Sequence, residues 1–290
     1  MLCTMKEMLA DAKERKYAIP AFDVSNYEMM RAVLEVCEEE RSPALLMGLE
    51  GDLQGKGLQL IPAMVKSASE FFNIPVCLHL DHARDFAFIQ AAADAGFSSV
   101  MYDGSVLPFE KNAAETEQVV RFAHARGLTV EAELGHVGDA MVGNENATTS
   151  GDDDPEDTLT DPVEARKFVE RTNVDALAVA IGTSHGVYKK TPTLRIDRLR
   201  EITTSCGIPL VLHGGSGTPD EQMKTAIENG ICKINIYSDV VAGLNGGLKS
   251  KLETIKNPAT WPMFVFEEAR KRMKETIRNK IRTFGSNGKM

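Results

Sequence analysis

Eight short apolar runs, separated by stretches with helical spacing, constrain the fold of this chain more than any other feature of its sequence. They are "PAFDV" at 20–24, "ALLMG" at 44–48, "VCLHL" at 76–80, "SVMYD" at 99–103, "TVEAEL" at 129–134, "ALAVAI" at 176–181, "PLVLHG" at 209–214 and "ICKINI" at 231–236. Each is near-continuously apolar, as a strand buried on both faces must be. Between them lie helical patterns at 26–40, 57–72, 85–96, 112–127, 161–172 and 218–230. Several of these close on Gly and two open on Asp-Pro or Thr-Pro, residues that stop and start helices. Such alternation predicts parallel β/α units, and eight of them predict a closed (β/α)8 TIM barrel, an α/β fold, over an open doubly wound sheet. No Gly/Ser/Pro-rich linker divides the 290 residues. The expectation is a single domain over 1–290, with extra C-terminal helices over about 257–283.

Composition narrows the partners. Apolar residues make up 43% and charged residues 26%, and no apolar run approaches the roughly 20 residues of a membrane-spanning helix. The first residues, "MLCTMKEMLADAKERK", contain acids and no long apolar segment, so the expected location is the cytoplasm, away from membranes. Five scattered cysteines without CxxC spacing argue against both a disulfide framework and a thiolate metal site. A net charge of −9 and the lack of a basic stripe argue against nucleic acid. A small-molecule partner remains.

In barrels of this kind the chemistry sits at the C-terminal ends of the strands. Here those ends carry Asp23, Glu50, Asp81 with His82, Asp103, Glu133, His185, "HGGSG" from His213, and Asn235. His82, His185 and His213 come from three different strand ends, which suits a catalytic zinc with one open position, although each alone reads as an ordinary loop histidine. His79 lies one pleat below the rim and reads as a buried structural imidazole. His82 shares the rim with Asp81 only if the strand ends there and the chain turns. Asp81 could orient a metal ligand or act as a general acid/base. "LHGGSG" at 212–217, before the helix that starts near 218–220, reads as either an anion cradle or a tight βα turn, with Asn235 and Ser238 of "KINIYSD" beside it. The acidic, aperiodic loop at 135–160 reads as either a lid over the site or a solvated face.

The motifs "YAIPAF", "LHLDH", "DGSVLPFEKN", "VEAELG", "AIGTSHGVY", "VLHGGSG" and "KINI" occur in the order and spacing of one family, from about residue 3 to "RNKIRTFGS". The chain resembles the class II, metal-dependent ketose-bisphosphate aldolases of the fructose- and tagatose-bisphosphate type. That resemblance implies a zinc-dependent lyase, a homodimer or homotetramer, that reversibly cleaves a ketose 1,6-bisphosphate to dihydroxyacetone phosphate and an aldehyde. Fructose 1,6-bisphosphate is the default substrate, and tagatose 1,6-bisphosphate or another ketose phosphate is the alternative. A non-catalytic barrel subunit of a sugar-catabolic assembly is a further one. Carried over by position, His82, His185 and His213 match the zinc ligands, and Asp81 matches the acid/base at the C4 hydroxyl. Asp103 and Glu133 match a second metal position. Gly214, Gly215, Ser216, Asn235 and Ser238 match the dihydroxyacetone phosphate site, and backbone around Gly182, Gly186 and Gly214 matches a region for phosphate and a monovalent cation, Na+ or K+. Arg278 of "RNKIRTFGS" is a further candidate.

The chain also departs from the family pattern. Asp23 stands where Asn is common, Leu49 replaces a loop Ser and Tyr237 a small or polar residue, which together weaken anion binding at the aldehyde end. Ala83 and Val106 replace a Gly and a His. No "GGxED" occurs in the long loop, so the acid that moves the C3 proton is sought at Asp139 first and Glu145 next.

Overall fold

All eight apolar runs form strands in the computed structural model of the chain, which describes residues 2–138, 158–186, 188 and 191–290. The strands are β1 Ile19–Asp23, β2 Ala44–Leu49, β3 Val76–Ala83, β4 Ser99–Tyr102, β5 Thr129–Leu134, β6 Ala176–Val179, β7 Leu210–Leu212 and β8 Ile231–Ile236. Neighbours pair in parallel in sequence order, and β8 returns to β1 through the Ile19–Lys233 and Ala21–Asn235 registers, closing the barrel. The helices are α1 Met5–Arg15, α2 Tyr27–Glu39, α3 Gly57–Ser69, α4 Phe86–Ala95, α5 Phe109–His124, α6 Pro162–Thr172, α7 Ile196–Cys206, α8 Asp220–Glu228, α9 Ser238–Leu252, α10 Pro262–Val265 and α11 Glu267–Thr283.

Local sequence explains several of these boundaries. Asn26 caps α2 by accepting from the Met29 N–H, and Asp85 caps α4 through Ala87. Asp161 accepts from Val163 and Glu164 while Pro162 occupies the first turn of α6. Three helices, α1, α7 and α9, fall outside the helical patterns read from the sequence. Helix α9 is hard to see because Gly243, Gly246 and Gly247 interrupt its pattern. Those glycines serve packing, since a Cβ at Gly247 would lie 2.3 Å from Ala269 Cα of α11. The helices after the barrel therefore begin at Ser238, directly after β8.

The core has two layers. One fills the space between the strands and the outer helices. The other lies inside the barrel, where Met5, Met8, Leu9 and Ala12 of α1 cover its N-terminal mouth and pack on Ile19, Leu45, Met47, Cys77, Ala178 and Val211. Alternate residues of each strand face inward. Above this apolar floor they turn polar: His79, Glu131 and Lys233 form a buried middle layer, and Asp23, Asp81, Asp103, Glu133, His213 and Asn235 stand over it.

Strand β3 is where the sequence expectation needs correction. It does not end at His82 but runs to Ala83, and its register against β4 shifts between Leu80 and Ala83. His82 takes φ = 49°, the left-handed region that costs a non-glycine residue about 1–3 kcal/mol. This bulge rotates the strand by one residue, so the adjacent side chains of Asp81 and His82 reach the same rim.

Candidate active site

Three imidazoles converge over the barrel axis. His82 comes from the bulge of β3, His213 directly follows β7, and His185 lies in the loop after β6, where its backbone N–H donates to Gly138 O at 3.1 Å. The ring centroids are 4.6 Å apart for His82 and His213, 4.9 Å for His82 and His185, and 5.8 Å for His185 and His213. One nitrogen from each ring lies within 4.8 Å of the others. His213 Nε2 is 2.8 Å from Glu131 Oε1 and donates to it, which leaves Nδ1 as its free lone pair. His82 Nδ1 is 3.2 Å from Asp103 Oδ2, and its Nε2 lies 2.9 Å from His213 Nδ1. Two ring nitrogens thus meet head-on, an arrangement that requires a proton or a cation between them.

The surrounding charge fits a cation. Burial alone would push the His82 imidazole down, but the Asp81 carboxylate and the hydrogen bond to Asp103 outweigh it and hold it at about 10. Burial, with His82 close by, holds His213 well below the ordinary histidine range. Burial also lifts the Glu133 carboxyl to about 8, with Asp103 adding to the shift. Glu133 Oε2 is buried, receives no hydrogen bond among the described residues and lies 3.5 Å from His213 Nδ1. The donor set, three imidazoles with a bare carboxylate oxygen beside them, fits a zinc-like ion with an open position. His82, Asp103 and Glu133 also have ligand atoms within 4.8 Å of one another. Asp103 is already engaged, however: Oδ2 accepts from His82 and Arg84, and Oδ1 from Ser105. It orients His82 in this conformation.

Beside the imidazoles opens a cleft of ≈ 200 Å³ lined by Asp23, Leu49, Asp81, Arg84, Gly186, Gly214, Gly215, Ser216, Tyr237 and Ser238, among others. Asp81 is buried at its wall, where Asn235 Nδ2 donates to Oδ1 at 3.2 Å and lies 3.4 Å from Oδ2. Asp23 is 4% exposed, and its Oδ1 receives no hydrogen bond among the described residues. Burial, and then the neighbouring Asp81 carboxylate, pushes the Asp23 carboxyl well above the ordinary range.

At the other end the backbone closes in. Gly214 has φ = 66°, and a Cβ there would lie 2.4 Å from Ser184 O, so the loop after β7 presses on the loop after β6. Tyr188 ties the two loops together, accepting from Ser184 N and donating to Gly214 O, both at 2.9 Å. Ser216 Oγ accepts from Asp239 N at 3.2 Å in the first turn of α9, whose N-terminus follows β8. Glycine backbone beside a helix N-terminus is an arrangement that binds phosphate. Gly182 opens the same β6 loop but does not line the cleft.

Not every sequence candidate reaches this rim. Arg278 lies on α11 and is held by Glu39, the last residue of α2, and by Glu40 just after it, so its guanidinium is used between helices, away from the cleft. Asp139 and Glu145 lie outside the described residues. Glu50 follows β2 without lining the cleft, whereas its neighbour Leu49 does. Sequence reading passed over Glu131 and Lys233, whose side chains meet in the barrel with Nζ 2.8 Å from Oε2 and 3.1 Å from Oε1. Their signal was spacing: each stands two residues before a rim residue, Glu133 or Asn235, and so shares its inward face.

Known proteins share this fold. The family described as "Fructose-bisphosphate aldolase class-II" matches residues 3–289. The crystal structure of the YdjI aldolase from Escherichia coli K12 is similar over all of this chain and 99% of its own, at 35% identity and a TM-score of 0.87. The fructose-bisphosphate aldolase (Fba) of Campylobacter jejuni shares the fold, with a TM-score of 0.82 and 22% identity over all of this chain and 97% of its own. The chain belongs to the class II fructose-bisphosphate aldolase family.

Proposed function

We propose that this aldolase reversibly cleaves a ketose carrying phosphate on C1 to dihydroxyacetone phosphate and an aldehyde, with fructose 1,6-bisphosphate the first substrate to test. The observation that carries the reading is the convergence of His82, His185 and His213 within 4.8 Å beside the buried carboxylate of Asp81. A zinc-like ion bound by these imidazoles would polarise the substrate oxygens and stabilise the negative charge left on C3.

The other steps belong to the chain's own residues. Asp81 accepts the C4 hydroxyl proton as the C3–C4 bond breaks and returns it to the carbonyl oxygen on condensation. Asn235 holds that carboxylate in place through Nδ2. Glu131 keeps the proton on His213 Nε2, so that Nδ1 faces the other imidazoles. Gly214, Gly215, Ser216 and Ser238, at the start of α9, receive the C1 phosphate. Backbone carbonyls near Gly182, Gly186 and Gly214 are the proposed position of a monovalent cation.

The test follows exchange of the C3 hydrogen of dihydroxyacetone phosphate with D2O by NMR, alongside cleavage of fructose and tagatose 1,6-bisphosphates. Exchange should vanish after treatment with EDTA, return with Zn2+, and fall at least about a hundredfold in His82→Ala. Exchange that survives chelation or His82→Ala would sink the reading.

A further inference from the structure

We infer that the end of the cleft bounded by Asp23, Leu49 and Tyr237 selects an uncharged, hydroxylated aldehyde and disfavours one that ends in phosphate. This rests on the reading that the loops after β7 and β8 hold the C1 phosphate, and it concerns the opposite half of the substrate. With that phosphate fixed and Asp81 at the C4 hydroxyl, the carbons beyond C4 run past β3 toward the ends of β1 and β2. Asp23 and Leu49 stand there.

The polar groups at this end ask for donors. Asp23 Oδ1 and Asn235 Oδ1 are both buried oxygens without a hydrogen-bond donor among the described residues, and both residues line the cleft. A buried acceptor left without a donor costs about 1–3 kcal/mol, which a substrate hydroxyl recovers by donating. A phosphate dianion brings only acceptors. It would also bring its charge beside the Asp81 carboxylate, at a wall where the Asp23 oxygen offers it no cation. Asp52 is near enough to act electrostatically on both Asp23 and Tyr237, so the acidic character extends beyond the cleft wall.

Among the described residues, no uncommitted Lys or Arg lines this end. Arg84 is the only Lys or Arg among the described residues of the lining, and Asp103 Oδ2 holds its Nη2 at 3.1 Å and its Nε at 3.3 Å. Lys233 lies below and is committed to Glu131. Leu49 adds only methyl groups. Sites built to hydrogen-bond a substrate hydroxyl discriminate strongly against partners that cannot donate.

The experiment measures kcat/KM for condensation of dihydroxyacetone phosphate with D-glyceraldehyde and with D-glyceraldehyde 3-phosphate. The wild-type protein should favour the unphosphorylated aldehyde by about tenfold or more. Asp23→Asn, nearly isosteric, puts an amide donor in place of the carboxyl, and should move the ratio about fivefold or more toward the phosphorylated aldehyde. A ratio taken within one preparation does not depend on how much of that preparation is folded. A wild-type preference for the phosphorylated aldehyde overturns the inference, as does an unmoved ratio in Asp23→Asn. So does failure to condense with either aldehyde while D2O exchange into dihydroxyacetone phosphate proceeds. Loss of that exchange in wild-type protein loaded with Zn2+ would instead remove the underlying reading.

Discussion

At the scale of single residues, Asp81 and His82 divide the work of one strand end. The left-handed backbone at His82 turns its ring toward the other imidazoles, while Asp81 keeps its carboxylate on the cleft wall against Asn235. Asp81→Asn should therefore lower cleavage by about 10²–10⁴-fold, the usual worth of a positioned acid/base, while sparing C3 exchange, which does not involve the C4 oxygen. Equal loss of cleavage and exchange would show that Asp81 serves the cation site and not the C4 proton. These residues were legible in the sequence because ionisable groups stood at the ends of apolar runs. Glu131 and Lys233 were not, because a charge inside such a run has no partner until the barrel brings β5 and β8 face to face across its interior. The bulge was equally hidden, since nothing in "LHLDHA" announces a residue with positive φ.

At the scale of elements, β5 and β8 are joined across the interior by the Glu131–Lys233 ion pair, both partners fully buried. Removing one partner from such a pair leaves an unpaired charge and costs about 3–5 kcal/mol, whereas removing both costs much less. Lys233→Met should thus lower the urea midpoint sharply, and adding Glu131→Gln should recover at least about half of the loss. Additive losses in that cycle would mean that the two residues stabilise the barrel separately. All eight strands were visible from apolar pattern alone, because a parallel strand covered on both faces tolerates few polar residues. Helix α9 was not, because the glycines that let it approach α11 erase the periodicity by which helices are recognised.

At the scale of the whole molecule, buried acids that stay neutral set an alkaline limit. Burial pushes the Cys77 thiol from its ordinary 9.0 up to about 12, and Cys3 and Cys232 each up to about 11. Unfolding frees these thiols to lose protons that the folded state retains. Their contribution is therefore fully present below pH 9 and is lost as pH rises toward 11–12. For Cys77 the loss is about 1.4 kcal/mol for each pH unit between the two values. The urea midpoint should fall steadily above pH 9, less steeply in Cys77→Ala; a flat profile to pH 11 would contradict this assignment. Ring closure between β1 and β8 also has a consequence in time. On a ribosome, Ile19 emerges long before its partner Lys233, so β1 waits with one edge of unpaired backbone N–H and C=O groups until β8 is made. A chain halted before β8 keeps that edge open, and exposed edges invite aggregation, so the barrel closes only after β8 has emerged.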